Sequence, residues 1–203
     1  MQKIDVKFGP WIEEGFGLFK ANLGVLVLAM LLVVLVSGVS FGLLAVPMAA
    51  GLLILSARLK DGLQPPPKAT DVFKGMELIG QGLLFAVILF AIGLGVFVLN
   101  LIPCIGQILV VLLGLAIVPV IYLGICALAL DRKPAIEAIK HGLGLAKRDY
   151  PKLVAFCLLA GLIGASGSVL CGVGQLFTMP IAYCIMVVAY RDLASQTAQA
   201  PLA

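Results

Sequence analysis

Polar residues interrupt this chain in only a few places, and the apolar runs between them are far longer than one buried helix. No Asp, Glu, Lys, Arg or His lies between Lys20 and Arg58, between Glu77 and Asp131, or between Lys152 and Arg191. These gaps hold 37, 53 and 38 residues. A helix that crosses a bilayer takes about 20 residues. Each gap therefore predicts a helix, a turn and a helix back. The predicted fold is an all-α integral membrane protein, with six transmembrane helices arranged as three helical hairpins. The first and third gaps fall slightly short of two full crossings. Their hairpins either span by borrowing interfacial residues and thinning the bilayer locally, or form shallow re-entrant loops.

A second pattern precedes each gap. Ile12, Phe16, Phe19 and Leu23 recur at helical spacing, as do Val72, Met76, Ile79 and Leu83, and Ile136, Ile139, Leu143 and Ala146. Apolar residues three and four apart make one face of a helix. Pro10, Thr70 or Asp71, and Pro134 supply helix starts. Each segment predicts an amphipathic helix lying in the inner headgroup boundary. The expected membrane-contacting residues are Trp11, Ile12, Phe16, Phe19, Val72, Met76, Ile79, Ile136, Ile139 and Leu143.

The three segments also resemble one another. Ile12, Gly15, Gly17, Leu18, Lys20, Leu26 and Val27 recur 127 positions on as Ile139, Gly142, Gly144, Leu145, Lys147, Leu153 and Val154. A fainter copy, 60 positions on, aligns Val72, Gly75, Met76 and Leu78 with Ile12, Gly15, Phe16 and Leu18. The stretch Pro47 to Arg58 aligns without gaps on Pro180 to Arg191. Both ends of hairpins one and three thus match, which predicts an internal repeat. The expected organisation is one membrane domain, residues 1–203, with units of about 10–60, 70–132 and 134–192. Pro65-Pro66-Pro67 makes the first linker a stiff, extended spacer. Residues 193–203 are expected to be a disordered tail, and no cleavable leader is expected ahead of Leu23.

Composition sharpens the class. The 203 residues are 62% hydrophobic, with mean hydropathy +1.17. Only 12% are charged, about half the share of a soluble domain. The three-hairpin arrangement places all 14 Lys and Arg on one side of the membrane. The positive-inside rule makes that side cytoplasmic, with both termini on it. Lys20, Lys74, Lys140, Lys147, Arg148 and Lys152 are candidate contacts for anionic lipid headgroups, beside their ordinary role in setting topology.

Chemistry-bearing residues are sparse. No ionisable acid, base or histidine is expected deep in a span, where coupled transporters and proton relays need them. No catalytic, metal or cofactor site is predicted, and the chain is not expected to be an enzyme. His141, the single histidine, has no acidic or cysteine companions and reads as packing. Cys126, Cys157 and Cys184 read as small apolar fillers. Cys104 and Cys171 fall at outward turns within similar strings, and are expected either as a disulfide in an oxidising compartment or as free thiols. Gly161 with Ala165, and Gly164 with Ser168, permit close helix crossing within the chain or against a second copy.

Two strings carry a resemblance. They are Ile12-Glu-Glu-Gly-Phe-Gly-Leu-Phe-Lys-Ala-Asn22, and Ala127 through Lys147 ahead of the fifth span. Together they resemble a broad group of bacterial polytopic membrane proteins without assigned activity. That group includes the membrane domain attached to some glycerophosphodiester phosphodiesterases. The resemblance implies a six-helix bundle with interfacial helices in the bacterial inner membrane, and it implies no activity. Two functions fit. One is a non-enzymatic protein that interacts with lipid or organises the membrane, with lipids as partners, either alone or joined by another membrane protein or a second copy, and no nucleic acid. The other is a small transporter or channel for an uncharged or lipid-like substrate.

Overall fold

The computed structural model describes residues 4–102, 105–170 and 173–198. Every element among them is helical. In chain order they are α1 (Phe8–Ala21), α2 (Leu23–Val39), α3 (Ala45–Lys60), a 3-10 segment (Ala69–Leu78), α4 (Ile79–Asn100), α5 (Ile105–Leu130), α6 (Ala135–Ala146), α7 (Tyr150–Ala165), a 3-10 turn (Ser166–Leu170) and α8 (Gln175–Ala198). Four stretches are long and apolar enough to cross a membrane: Ala69–Asn100, Ile105–Leu130, Tyr150–Val169 and Gln175–Thr197. A fifth is added if α1 and α2, which meet at 91°, count as one broken span. The bend sits at Asn22, whose side-chain amide donates to Leu18 O at 3.0 Å and closes the last turn of α1. With 17 and 16 residues, α2 and α3 are each about 25 Å long, short of the roughly 30 Å hydrocarbon core.

The centre of the molecule is α3 together with the second half of α8. Met48, Ala50, Leu52, Leu53 and Leu55 on α3 are fully buried, as are Cys184 to Tyr190 on α8. Both stretches are apolar on every face, so each needs protein all round it. Ser56, the one buried polar side chain there, donates back to Leu52 O at 2.9 Å and so brings no unmet hydrogen bond into the core.

The three amphipathic segments supply the missing cover. α1 packs against α8, with Trp11 Nε1–H donating to Asp192 Oδ2 at 3.0 Å and Gly15 seated on Ile185. The 3-10 segment crosses α3, where Gly75 lies on the backbone of Pro47 and Gly51. α6 runs antiparallel to α5, with Ala138 beside Gly124 and Gly142 on Val120 and Gly124. At Gly15, Gly75 and Gly142 a methyl group on the glycine would overlap a neighbouring backbone. Only a missing Cβ lets the helices approach so closely.

This arrangement corrects part of the sequence expectation: residues 193–198, expected to belong to a disordered tail, complete α8, and Leu193 is fully buried. Trp11, Phe19 and Val72 were expected to touch lipid, and all three are buried in protein. Trp11 packs edge-on against Phe156, ring centroids 4.9 Å apart. Helical periodicity gives a segment's apolar face but not what covers it. Here an all-apolar return helix competes with the lipid and wins. The polar faces of the same segments point outward and give this end of the molecule a charged coat.

Ion pairs fasten that end. Arg191 makes a bidentate pair with Asp61, its second contact at 2.8 Å, joining α8 to the residue that follows α3. Lys60 reaches Glu14 on α1 at 2.8 Å, and Lys7 reaches Asp192 at 3.5 Å. Arg132 pairs with Glu77 at 2.9 Å, drawing the linker after α5 to the end of the 3-10 segment.

Away from the charged end the surface turns apolar. Phe41, in the turn between α2 and α3, is 99% exposed, and Val169, in the turn before α8, is 85% exposed. The far half of the α4–α5 hairpin is bare, with Phe90, Phe97, Leu101, Ile105 and Ile108 all exposed. The two helices still meet closely at their tip, where Gly106 sits on Leu99 O.

Candidate functional site

Four helices leave a cleft of about 380 Å³ between them. α5 contributes Ile121, Tyr122, Ile125 and Cys126, and α8 contributes Met179, Ala182, Tyr183 and Met186. Each set recurs at helical spacing and so forms one stripe. α3 closes the floor with Leu53, and α7 adds Gly161, Gly164 and Ala165. The small residues of α7 thus face α5 and α8 of the same chain and make the room: a Cβ on Gly161 would stand 3.2 Å from Tyr122 Oη. Ala165 is exposed, so the cleft opens at the surface beside it.

The lining is aliphatic apart from Cys126 and the two tyrosines, and carries no charge. Among the described residues neither Tyr122 Oη nor Tyr183 Oη has a hydrogen-bond partner. Several other hydroxyls of the apolar zone do, although Ser37 Oγ on α2 does not. Tyr150 Oη–H is shared between Ala116 O at 2.7 Å and Leu115 O at 3.3 Å. Pro119, inside α5, has no N–H, which leaves Leu115 O without its helical donor. Thr178 donates to Gly164 O at 2.7 Å and holds the ends of α7 and α8 together.

The remaining sequence candidates separate into groups. Phe16, Ile79, Ile136 and Leu143 are exposed, while Ile12, Met76 and Ile139 are half-buried. Among the basic residues, Lys20, Lys140, Lys147 and Lys152 are exposed, and Lys74 and Arg148 are half-buried. Lys20 Nζ sits 4.6 Å from the Phe16 ring centroid, Lys74 pairs with Asp71 at 3.1 Å and Lys152 with Asp149 at 3.3 Å. The structure does not gather the six into one pocket. Cys104 and Cys171 lie outside the described residues.

Two ionisable groups at the charged end are shifted. Partial burial pushes the Asp71 carboxyl up, but this is outweighed by hydrogen bonds from the Lys74 side chain and the Lys68 N–H and by the charges of Lys74 and Arg58. The net result is a pKa below the ordinary carboxylate value. Arg58 Nη1 lies 3.0 Å from Asp71 Oδ2 but is not aligned to donate to it, so the contact is an ion pair without a hydrogen bond. Burial lowers the His141 pKa, and the positive charges of Lys133 and Arg148 add to this against the opposing Asp131. The His141 ring stands edge-on to Tyr190 at 6.4 Å.

Reading the sequence had not singled out Tyr122 or Tyr183. The available signal was their position inside uncharged runs, where a hydroxyl needs either a partner or a ligand. No protein-family model, curated protein or solved structure matches this chain.

Proposed function

We propose that this chain is an integral membrane protein that binds lipid and organises the bilayer around it, without catalysing a reaction. The observation that carries this reading is the division of its surface. One end has a charged coat fastened by ion pairs. The rest presents exposed apolar side chains on α2, on the outer half of the α4–α5 hairpin and in two turns, Phe41 and Val169 among them. Water would penalise that surface by about 25 cal/mol for each Å², and lipid tails would not. The positive-inside rule puts the charged end and both termini in the cytoplasm, and the resemblance to bacterial polytopic proteins makes the membrane a bacterial inner one.

The fold is read as three units of one amphipathic segment and one hairpin. Three like contacts support this. Gly15, Gly75 and Gly142, which align in sequence, are each the point where a segment meets the return helix of another unit. α1 on α8 then closes a ring of three. In this reading all six hairpin helices enter the membrane. Hairpins one and three reach less deeply than the middle one, because α2, α3 and α7 have only 17, 16 and 16 residues against 22 and 26 in α4 and α5.

Native mass spectrometry of protein extracted gently from its own membrane tests the function. A stoichiometric lipid adduct that survives activation is the expected result, and a clean apo mass would defeat lipid binding. The uncharged cleft favours a second reading, passage of an uncharged or lipid-like molecule. Flux of such a molecule into protein-bearing liposomes, above that into empty ones, would select it.

A further inference from the structure

We propose that the cleft between α3, α5, α7 and α8 is a binding site for a neutral amphiphile, a hydrocarbon chain whose uncharged oxygen group hydrogen-bonds to Tyr122 and Tyr183. The proposal deepens the lipid-binding reading and rests on it. A volume of about 380 Å³ lies within the range of small-molecule sites, roughly 300–1,000 Å³, and is far larger than the voids that core packing leaves.

The lining selects the chemistry. Leu53, Ile121, Ile125, Met179 and Met186 offer only apolar contact, which suits a hydrocarbon chain. A charged headgroup inside the cleft would be desolvated with no counter-charge, at a cost of several kcal/mol. The two hydroxyls set the other requirement. Ser56, Tyr150, Thr178 and Tyr190 all have hydrogen-bond partners inside the protein. Tyr122 and Tyr183 have none among the described residues, and both line this one cleft. A hydroxyl, carbonyl or ester on the ligand would satisfy them, since a phenol both donates and accepts.

Entry is from the side. Leu158, Leu162 and Ala165 are four and three residues apart on one exposed face of α7, and Ala165 lies at the mouth. A ligand can therefore arrive from the surrounding lipid without crossing the charged coat. A second cavity of about 280 Å³, bounded by Phe85, Ile88, Val120 and Leu143, has no such hydroxyl pair and lacks the polar half of the site.

The test uses the full chain in lipid nanodiscs with two photoactivatable probes that carry a diazirine on the same acyl chain. One is a neutral diacylglycerol and the other an anionic phosphatidylglycerol, and labelled peptides are mapped by mass spectrometry. Diacylglycerol is expected to label the α7 and α8 segments around Ala165 and Met179, and excess unlabelled diacylglycerol should suppress it. Replacing both tyrosines, Tyr122→Phe with Tyr183→Phe, keeps the bulk and is expected to weaken that labelling about 5-fold or more. Gly161→Leu, which fills the cleft, should abolish it. Thermal unfolding checks that each variant still folds, and the double Phe variant decides the question if Gly161→Leu does not. Equal labelling of the cleft by both probes, or no effect of the double Phe variant, would overturn the proposal. Labels near Phe97 on the bare hairpin report whether the chain lies in lipid at all. Their absence would sink the membrane reading itself, whereas their presence with an unlabelled cleft would sink only the site.

Discussion

The return helices α3 and α5 begin from similar material and end in different surroundings. Both are largely apolar, α3 uncharged as far as Arg58 and α5 uncharged throughout. α3 is enclosed along nearly its whole length, from Val46 to Ala57. α5 is enclosed mainly from Leu123 to Ala129, and its first half stands beside α4 with Ile108, Val111 and Leu112 exposed. Apolarity alone therefore does not say which of the two a helix will be. The difference lies in partners. The 3-10 segment, α2, α5 and α8 all pack on α3, which has 16 residues, but α6, with 12 residues, covers only the charged-end half of a 26-residue helix. What α6 leaves bare is the stretch that α4 alone accompanies.

The sharpest way to break this comparison is to put bulk at matched glycines. Gly75→Leu would drive a side chain into the backbone of Pro47 and Gly51, and Gly142→Leu into that of Val120 and Gly124. Backbone cannot yield as a side-chain tip can, so each variant should lose about 3 kcal/mol or more of stability. Gly93→Leu, on the bare hairpin with open space around it, should lose nothing and gain up to about 1 kcal/mol of helix propensity. Trp11 is the only tryptophan and is buried, so its fluorescence during unfolding in micelles reports all three. Equal losses at Gly75 and Gly93 would mean that the close contacts do not hold the fold.

Next in size is charge on the bare region. Phe90→Arg, at the middle of α4, should impair membrane insertion by about 2.5–3.5 kcal/mol, the cost of an arginine at the centre of a spanning helix. Lys140→Ala, on the polar face of α6, should leave insertion unchanged. An insertion assay that counts translocated against untranslocated hairpin reads both. If Phe90→Arg inserts as well as the parent chain, the outer half of the hairpin lies in water or against protein.

How far the sequence could have gone is clear from the same elements. Charge placement made the helical class and the single charged end legible, because an uncharged run of 37 or 53 residues has few other uses. The amphipathic segments were legible as helices, but their partners were not. The spacing of Ile12, Phe16 and Phe19 is the same whether lipid or α8 lies opposite. The usable clue was the glycine that all three copies share at positions 15, 75 and 142, since a small residue on the apolar face asks for a neighbouring backbone rather than a lipid tail. The cleft was hidden for another reason. Tyr122, Gly161 and Tyr183 come from three helices, and no local spacing joins them.

A smaller effect is expected where the bare hairpin meets the packed half. Tyr150 reaches back from the start of α7 to carbonyls next to the proline of α5. Tyr150→Phe removes the hydroxyl and leaves Leu115 O with neither its helical nor its borrowed donor. The expected loss is about 1 kcal/mol. Pro119→Ala restores the N–H and should shrink that loss, so a double-mutant cycle on Tyr150 and Pro119 measures their coupling. Strict additivity would show that the hydroxyl does not compensate for the proline.

The smallest effect is a dependence on pH at the charged end, which the bare hairpin cannot show between pH 5 and pH 7 because it holds no Asp, Glu, Lys, Arg or His. His141 has a folded-state pKa below its ordinary value of 6.5, through burial first and the charges of Lys133 and Arg148 second. As the pH falls through and below 6.5, the unfolded chain takes up the proton before the folded one does, so stability falls. Above that range both states are neutral and the effect is absent. Asp71 acts in a separate window. Its folded pKa lies below the ordinary value of 3.8, so its stabilising contribution is complete above that pH and is lost only as the pH drops through the folded value. Unfolding monitored by Trp11 between pH 7 and pH 5 should therefore show a slope that His141→Gln flattens and Asp71→Asn leaves in place. If His141→Gln keeps the slope, the acid sensitivity of this end lies elsewhere, and His141 titrates alike in both states.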